Sequence, residues 1–312
     1  MSALIEVILP VFLVLGFGYA AVALKWLSDD AVDGLMRFAQ GFAAPCLLFR
    51  GVAKLDLGAA YQPGLLLSFY IAAFACFTAG SLIARFVFHR SGPDSVAIGF
   101  CCLFSNSLLL GLPIMQRAYG TDALAGNYAI ISIHAPMFYA FGITTMEIVR
   151  HRGQGLATRA LAARILAGIA RNPLVIGIGL GFAVNLFGSP LPAPVWSAVD
   201  MMAASALPAA LFGLGGVMVR YRPEGDFRLI GMVVALALIV HPALAWGLGR
   251  GVFGVTVPQL RSSIVTAAMA PGVNAYLFAN MYGAARRIAA SSVLIATAVS
   301  VLTIWFWLSV LP

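Results

Sequence analysis

The chain has 312 residues, of which 62% are hydrophobic and 10% are charged, and its mean hydropathy is +0.97. Soluble domains carry about 25% charged residues, so this composition excludes a soluble globular protein and indicates a polytopic membrane protein. The net charge of +8 does not indicate nucleic-acid binding, because the sequence has no Lys and Arg cluster with interleaved aromatic residues.

Apolar stretches of about 20 residues, the length of a helix that crosses a bilayer, recur ten times and predict an all-α polytopic fold. The predicted spans are 4–24, 31–52, 61–88, 95–118, 126–149, 165–187, 195–219, 229–253, 262–281 and 288–311. The four cysteines all fall within these spans and lack metal-ligand or disulfide spacing. We interpret them as small apolar residues, and we predict no cofactor and no bound metal.

Basic residues near the span ends predict the orientation of the chain, since cytoplasmic loops are enriched in Lys and Arg. The link between the fifth and sixth spans, residues 150–164, contains Arg150, Arg152, Arg159 and Arg164. The links on the same side of the bilayer carry most of the other basic residues. We therefore predict that this link is cytoplasmic and that both termini lie outside, in the cytoplasmic (inner) membrane of a bacterium.

Two sequence matches at one offset indicate an internal repeat. Residues 10–20 match residues 173–183, and residues 44–49 match residues 207–212, each pair being aligned on prolines 163 positions apart. Because each half has five spans, an odd number, related halves must have opposite topology. Inverted repeats with interrupted helices are typical of secondary transporters. The predicted units are a first five-helix repeat at 1–149, a cytoplasmic link at 150–164 and a second, inverted five-helix repeat at 165–312.

The middle of the fourth predicted span is both polar and helix-breaking. Ser105, Asn106 and Ser107 are adjacent there, and Gly111 and Pro113 follow within two turns. Irregular backbone at membrane depth is tolerated only where it is buried in protein or lines a water-filled cavity. We therefore predict that the three polar residues contact a substrate and that Gly111 and Pro113 shape the site.

The ninth predicted span has a similar interruption, in which Pro271 and Gly272 precede Asn274. Two broken helices that face each other bring half-helix N-termini together, and their positive dipole ends suit an anion. We predict that Asn274 and Gly272 belong to the substrate site and that Pro271 shapes it. Pro45 and Pro208, inside the second and seventh spans, are candidates for kinks that open space at the site; plain helix irregularity is the alternative.

Several of these residues have structural interpretations that the sequence leaves open. Asn106 could bond a freed backbone carbonyl, and Ser105 and Ser107 could bond the carbonyls of their own helix. His134 and His241 fall within apolar spans, so they are candidates to carry a coupled proton. The alternative, which we favour for both, is a neutral histidine bonded to a neighbouring helix.

Over its whole length the chain resembles bacterial members of the auxin efflux carrier family, which also holds the plant PIN carriers and bacterial malonate-type carriers. The residues that carry the resemblance are Leu9-Pro10 through Gly18-Tyr19, Leu27-Ser28-Asp29-Asp30-Ala31, Phe38-Ala39, Ala44-Pro45, Ser105-Asn106-Ser107-Leu108, Gly111-Leu112-Pro113, Tyr119-Gly120, Pro271-Gly272-Val273, Phe278-Ala279 and Tyr282-Gly283. The asparagine and serine shortly before Gly-x-Pro are the most specific of these.

The resemblance implies ten spans in two inverted repeats, with broken spans four and nine crossing at the substrate site. It also implies a moving part and a scaffold, elevator-like alternating access, and an organic acid anion as substrate. The plant carriers use the asparagine at the position of Asn106 in their site, so the resemblance gives Asn106 that role. Two positions depart from those carriers, since Ser105 and Ala275 replace prolines of the two interruptions.

The leading hypothesis is a secondary transporter that moves a small organic anion, a mono- or dicarboxylate, across the membrane. The first alternative is a Na⁺-coupled symporter of the bile-acid type, and a less favoured one is a membrane sensor that does not transport. No P-loop or hydrolase motif occurs, so we predict that the chain is not an enzyme. The sequence leaves open the anion, the coupling ion, the direction of transport and the oligomeric state, a homodimer included.

Overall fold

The computed structural model describes residues 3–150, 158–188 and 191–312, and every regular element in these ranges is a helix. Arg152 of the predicted link lies outside the described residues. The helices are α1 (Ala3–Ile8 and Leu9–Ala23), α2 (Asp29–Phe38, Ala39–Ala43 and Ala44–Ala53), α3 (Pro63–Phe86), α4 (Gly92–Leu103), α5 (Ser107–Gly111 and Leu112–Tyr119), α6 (Ala125–Arg150), α7 (Thr158–Ala170), α8 (Pro173–Phe187), α9 (Ala193–Met218), α10 (Phe227–Ala235, Leu236–Val240 and His241–Gly251), α11 (Val257–Ala267), α12 (Val273–Tyr282) and α13 (Arg286–Val310). Single turns at Leu57–Ala60 and Thr121–Leu124 precede α3 and α6.

Among the residues that the structure describes, six helical stretches are long and apolar enough to cross a membrane. They are Ile5–Ala23, Pro63–Phe86, Thr121–Arg150, Ala193–Met218, Phe227–Gly251 and Arg286–Val310. Large apolar side chains on these helices remain exposed, among them Phe17 and Met201, as expected for surfaces that face lipid. The protein is thus an almost wholly helical membrane protein, while the count of ten spans remains a prediction.

Helices α1, α2, α5 and α10 each contain a π-helical segment, and each segment ends two residues before a proline. The four segments end at Ile8, Ala43, Gly111 and Val240, and the prolines that follow are Pro10, Pro45, Pro113 and Pro242. A proline inside a helix has no N–H and its ring clashes with the preceding turn, and one wider turn accommodates both. These four helices therefore continue past their prolines.

The helices pack in two groups. Helices α1, α2, α8 and α9 form the first group, and α3, α4, α6 and α10 to α13 pack mainly against one another in the second. α5 lies between the groups, with contacts to α1 and α9 on one side and to α6 and α11 on the other. Any binding site between the groups is therefore bounded by α2 and α8 on one side.

Glycines permit close backbone contact within the first group. A β-carbon on Gly18 of α1 would lie 2.7 Å from the carbonyl carbon of Phe212 in α9, and one on Gly181 of α8 would lie 2.9 Å from the carbonyl oxygen of Phe49 in α2. Gly181 is 163 residues after Gly18, and Phe212 is 163 residues after Phe49. The α1–α9 and α2–α8 contacts are therefore related at the offset found in the sequence.

Candidate functional site

Two pairs of consecutive helices are separated by short non-helical stretches. α4 ends at Leu103 and α5 begins at Ser107, while α11 ends at Ala267 and α12 begins at Val273. The two stretches run antiparallel beside each other as a single β-bridge between Ser105 and Pro271. The non-helical residues of both predicted interruptions thus lie in one place.

Reciprocal backbone hydrogen bonds hold this crossing together. The Asn106 N–H donates to the Ala270 carbonyl at 2.8 Å, and the Gly272 N–H donates to the Phe104 carbonyl at 2.9 Å. The two donors, Asn106 and Gly272, are 166 residues apart, and so are the two acceptors, Phe104 and Ala270. This offset is three more than in the α1–α9 and α2–α8 contacts. Since buried backbone groups need partners, this exchange stabilises a crossing that neither stretch could form alone.

A cavity of about 870 Å³ lies against the crossing, between α2 and α8 of the first group and α5, α6 and α12. Six of the sequence-predicted site residues line it: Ser105, Asn106, Ser107, Gly272, Asn274 and His134. Its exposed end is marked by Arg37 near the start of α2, and its other end by the buried Leu48 and Leu109. The cavity therefore runs inward along α2 to the crossing.

Asn106 and Asn274 present the free amides of the site. Asn106 is 7% exposed, and no hydrogen bond to the side-chain amide of either asparagine is found within the described ranges. The backbone carbonyl of Asn274 accepts a hydrogen bond from the Tyr139 hydroxyl at 3.4 Å. Both side chains are therefore available to a ligand. They lie beside the first-turn N–H groups of α5 and α12, of which those of Ser107 and Ala275 already donate to the Ser105 and Gly272 carbonyls.

Ser105 and Ser107 are bonded to each other. Their hydroxyl oxygens lie 2.9 Å apart, and the Ser107 hydroxyl also lies 3.3 Å from the Ser105 carbonyl, to which it can donate. This local bonding corresponds to the structural alternative for the pair. Both residues nevertheless line the cavity, so their hydroxyls retain lone pairs that can face a ligand.

The two histidines lie on either side of Phe69, with ring centroids 5.8 Å (His134) and 5.1 Å (His241) from its ring. Neither ring nitrogen of His134 makes a hydrogen bond of ordinary geometry in the described part of the chain. The ring of His134 packs among Phe104, Phe138 and Phe69, and the choice between a proton carrier and a bonded neutral histidine stays a prediction. His134 lines the cavity and His241 does not.

The other predicted residues do not line the cavity. Pro113 and Pro45 each follow a π-helical segment, and Gly111 ends the segment of α5. Pro208 sits inside α9, which is α-helical throughout, and Pro271 lies opposite Ser105. Pro45 is linked to the cavity indirectly, since its π-helical segment contains Gln40 and Gly41 from the cavity wall.

Sequence reasoning missed five polar residues of the cavity wall: Asp33, Arg37, Gln40, Tyr139 and Asn172. Arg37 and Gln40 are three residues apart on α2, a spacing that places them on one helix face. Asn172 caps α8, where its side chain accepts from the Leu174 N–H at 2.9 Å. The spacing of Arg37 and Gln40 could have been recognised in the sequence. No sequence signal distinguished Tyr139 from the other aromatic residues of its span.

Comparisons with known proteins place the chain among membrane transporters. A family model described as a membrane transport protein matches residues 3–308. A protein named "Putative malonate transporter" from Rhizobium meliloti (strain 1021) is 24% identical over 306 residues, covering 97% of this chain and 94% of its own. Auxin efflux carrier component 5 of Arabidopsis thaliana is 22% identical, covering 89% of this chain and 88% of its own.

A third relative has a different printed function. The mouse lysosomal cholesterol signaling protein is 26% identical over 256 residues, which cover 78% of this chain. The match spans only 29% of the mouse protein. The rest of the mouse protein has no counterpart in the match.

Proposed function

The chain belongs to the membrane transport protein family, which is the auxin efflux carrier family, and from this premise we propose that it transports a small organic anion. The proposed substrate is a mono- or dicarboxylate that binds at the crossing of α4–α5 and α11–α12. Asn106 and Asn274 are the proposed contacts, with Ser105, Ser107 and Gly272 around them.

The observation that carries this proposal is the convergence of two helix N-termini on one cavity. α5 begins at Ser107 and α12 at Val273, and residues on both starts line the cavity. Each N-terminus carries about half a positive charge and has N–H groups without a partner inside its own helix. A carboxylate placed there receives hydrogen bonds and charge stabilisation without a buried cationic side chain.

A site without a charged side chain also suits a transporter, which must release its substrate as well as bind it. Burying a full cation at the crossing would cost several kcal/mol of desolvation unless an anion always compensated it. Amides and helix ends keep favourable geometry whether the site is empty or filled. Within the described ranges, no three His, Cys, Asp or Glu side chains are grouped to hold a metal ion, and the proposal requires none.

The proposed transport cycle uses the two packing groups as scaffold and moving part. The reciprocal contacts at offsets of 163 and 166 support an inverted repeat, with boundaries at 1–149 and 165–312 and spans four and nine formed by α4–α5 and α11–α12. The cavity opens beside the start of α2, which is the cytoplasmic side if both termini lie outside. Elevator-like movement of the second group past α2 and α8 would open the crossing to the other side.

The experiment is uptake of a panel of radiolabelled mono- and dicarboxylates, malonate included, into proteoliposomes with pH, Na⁺ and potential varied separately. We expect saturable uptake of at least one carboxylate, at least tenfold slower in Asn106→Ala and in Asn274→Ala. Asn185→Ala is the matched control, because Asn185 bonds backbone carbonyls of the α2 end and does not line the cavity.

Each part of the proposal has its own contrary result. Wild-type rates in both site variants would refute the site, and uptake that requires Na⁺ would favour the bile-acid type of symporter. Saturable binding of a carboxylate without any uptake, measured in the same vesicles, would favour a sensor. No uptake and no binding across the panel would refute the organic anion as substrate.

A further inference from the structure

The cavity wall carries one side chain of each formal charge within the described residues, and both are on the first three turns of α2. These are Arg37 and Asp33. Arg37 lies about 16 Å along the helix axis from Leu48, which lines the cavity at its inner end. The cation is therefore at the mouth of the cavity, on the path that an anion would take to Asn106.

Opposite charges spaced like those of Asp33 and Arg37 normally neutralise each other. Asp and Arg four residues apart on a helix face each other and form an ion pair. Here Arg37 reaches only the backbone, its Nε donating to the Asp33 carbonyl oxygen at 3.3 Å. The Asp33 carboxylate is bonded elsewhere, so the guanidinium of Arg37 has no carboxylate partner among the described residues.

Arg220, two residues after the end of α9, binds the Asp33 carboxylate in place of Arg37. Its Nη1 lies 2.8 Å from the Asp33 carboxylate and its Nε lies 3.2 Å from that of Asp29. Its Nη2 also donates to the Asp29 backbone carbonyl at 2.7 Å. Burial lowers the pKa of Arg220, but these two carboxylates outweigh burial and raise it above its ordinary value. Arg220 thus binds two of the three acidic residues on the first two turns of α2, Asp29 and Asp33.

We propose that Arg37 draws carboxylates into the cavity and that Arg220 is a positioning residue, which keeps Asp33 from neutralising Arg37. This inference rests on the proposed function, and it adds a recognition element on α2 outside the crossing. A cation in a cleft with low-dielectric walls raises the local concentration of anions. A dicarboxylate gains more than a monocarboxylate, because it carries twice the charge past Arg37.

The first test is the concentration dependence of uptake for the fastest panel anion, starting with malonate, in vesicles that expose the α2 start. Removing one unit charge at roughly 8 Å from the path should raise KM about fivefold for a dicarboxylate at low salt. We expect Arg37→Gln to show this increase with Vmax unchanged, and Arg37→Lys to retain most of the wild-type KM.

The matched control is Arg228→Gln. Arg228 is an exposed basic residue on the first turn of α10, at the same end of the helices as Arg220, and it does not line the cavity. We expect its KM to be unchanged. Raising ionic strength should increase KM for wild type and Arg228→Gln. It should leave KM of Arg37→Gln nearly constant, since the charge left on the cavity wall, Asp33, is paired with Arg220.

The second test separates positioning from folding. In Arg220→Gln the freed Asp33 carboxylate should pair with Arg37 and raise KM about threefold, the net charge at the mouth being reduced. Adding Asp33→Asn to that variant removes the competing carboxylate, so KM should return to the wild-type value. A merely structural role for Arg220 predicts no such rescue.

The outcomes distinguish this inference from the function on which it rests. Normal wild-type uptake with an unchanged KM in Arg37→Gln would overturn the role of Arg37. Failure of Asp33→Asn to rescue Arg220→Gln, with both proteins monodisperse in detergent, would overturn the positioning role. Absence of wild-type uptake for every panel anion would instead count against the proposed function.

Discussion

A substitution of one glycine in α1 should loosen the first packing group, while the same substitution two residues away should not. Gly18 packs against the backbone of Phe212, where an added β-carbon would lie 2.7 Å from the carbonyl carbon and closer still to the oxygen. Gly16 has no atom within 4 Å of that position. The two alanine variants share one helix and one chemistry and differ only in contact.

The magnitude follows from what must move. The contacted atoms of Phe212 are backbone in a continuous helix, so they cannot rotate away as a side chain would, and α1 must shift by roughly 1 Å. Overpacking of this kind costs about 1–3 kcal/mol, against a gain of up to ~1 kcal/mol from the better helix propensity of alanine. Gly16→Ala gains helix propensity and has no overpacking cost. The two variants should therefore differ by about 2 kcal/mol.

The α2–α8 contact supplies an internal repeat of the experiment. A β-carbon on Gly181 would lie 2.9 Å from the Phe49 carbonyl oxygen, a smaller overlap, and Gly179 has no atom within 4 Å. The expected order of thermal stability is Gly18→Ala lowest, Gly181→Ala next, and Gly179→Ala with Gly16→Ala at or above wild type.

The assay is thermal unfolding of the detergent-purified variants, followed by the loss of the monodisperse peak in size-exclusion chromatography. Transport of the surviving fraction is measured in parallel. Gly18→Ala as stable as Gly16→Ala, with both at or above wild type, would refute the close α1–α9 packing. An equal loss in both would point to the membrane environment of α1, because the contact argument gives Gly16 no cost.

Three further predictions concern the crossing and the cavity. Gly272→Ala should fold normally, since its β-carbon would meet no atom closer than 3.5 Å, but should slow uptake by placing a methyl group in the site. Asn127→Ala should lower stability by about 1–3 kcal/mol, because the buried Asn127 amide donates to the Thr266 hydroxyl at 2.9 Å; thermal unfolding measures this. Gln40→Cys, with Cys46 replaced, should react with an impermeant maleimide only from the side of the α2 start and be protected by substrate.

The helical fold and the place of the interruptions could be predicted because their causes are local. Apolar segments of membrane length have few alternatives to helix, and Pro271-Gly272 cannot continue a regular helix without cost. Asn106 and Asn274 were identifiable for the same reason, as amides adjoining broken backbone. The structure places both on one cavity, as these local signals suggested.

The residues that the sequence did not reveal depend on long-range competition. Arg37 looks like one half of a local pair with Asp33, and only Arg220, far away in the chain, changes that interpretation. The ring packing of His134 was hidden for a similar reason, since its neighbours in space are the rings of Phe69, Phe104 and Phe138. Neither arrangement has a periodicity or spacing that a single sequence could display.

The proposed recognition residues lie on two different packing groups, so Arg37 should affect transport differently from the two sides of the membrane. Asn106 and Asn274 belong to the crossing, whereas Arg37 belongs to α2, so movement of one group past the other would separate them. In the proposed cycle Arg37 can then strengthen binding only while the cavity opens beside α2. A bound anion must favour that state by the same factor by which Arg37 raises affinity in it. Arg37→Gln should therefore change KM on the α2 side of the membrane alone, and an equal change on both sides would show that Arg37 travels with the site.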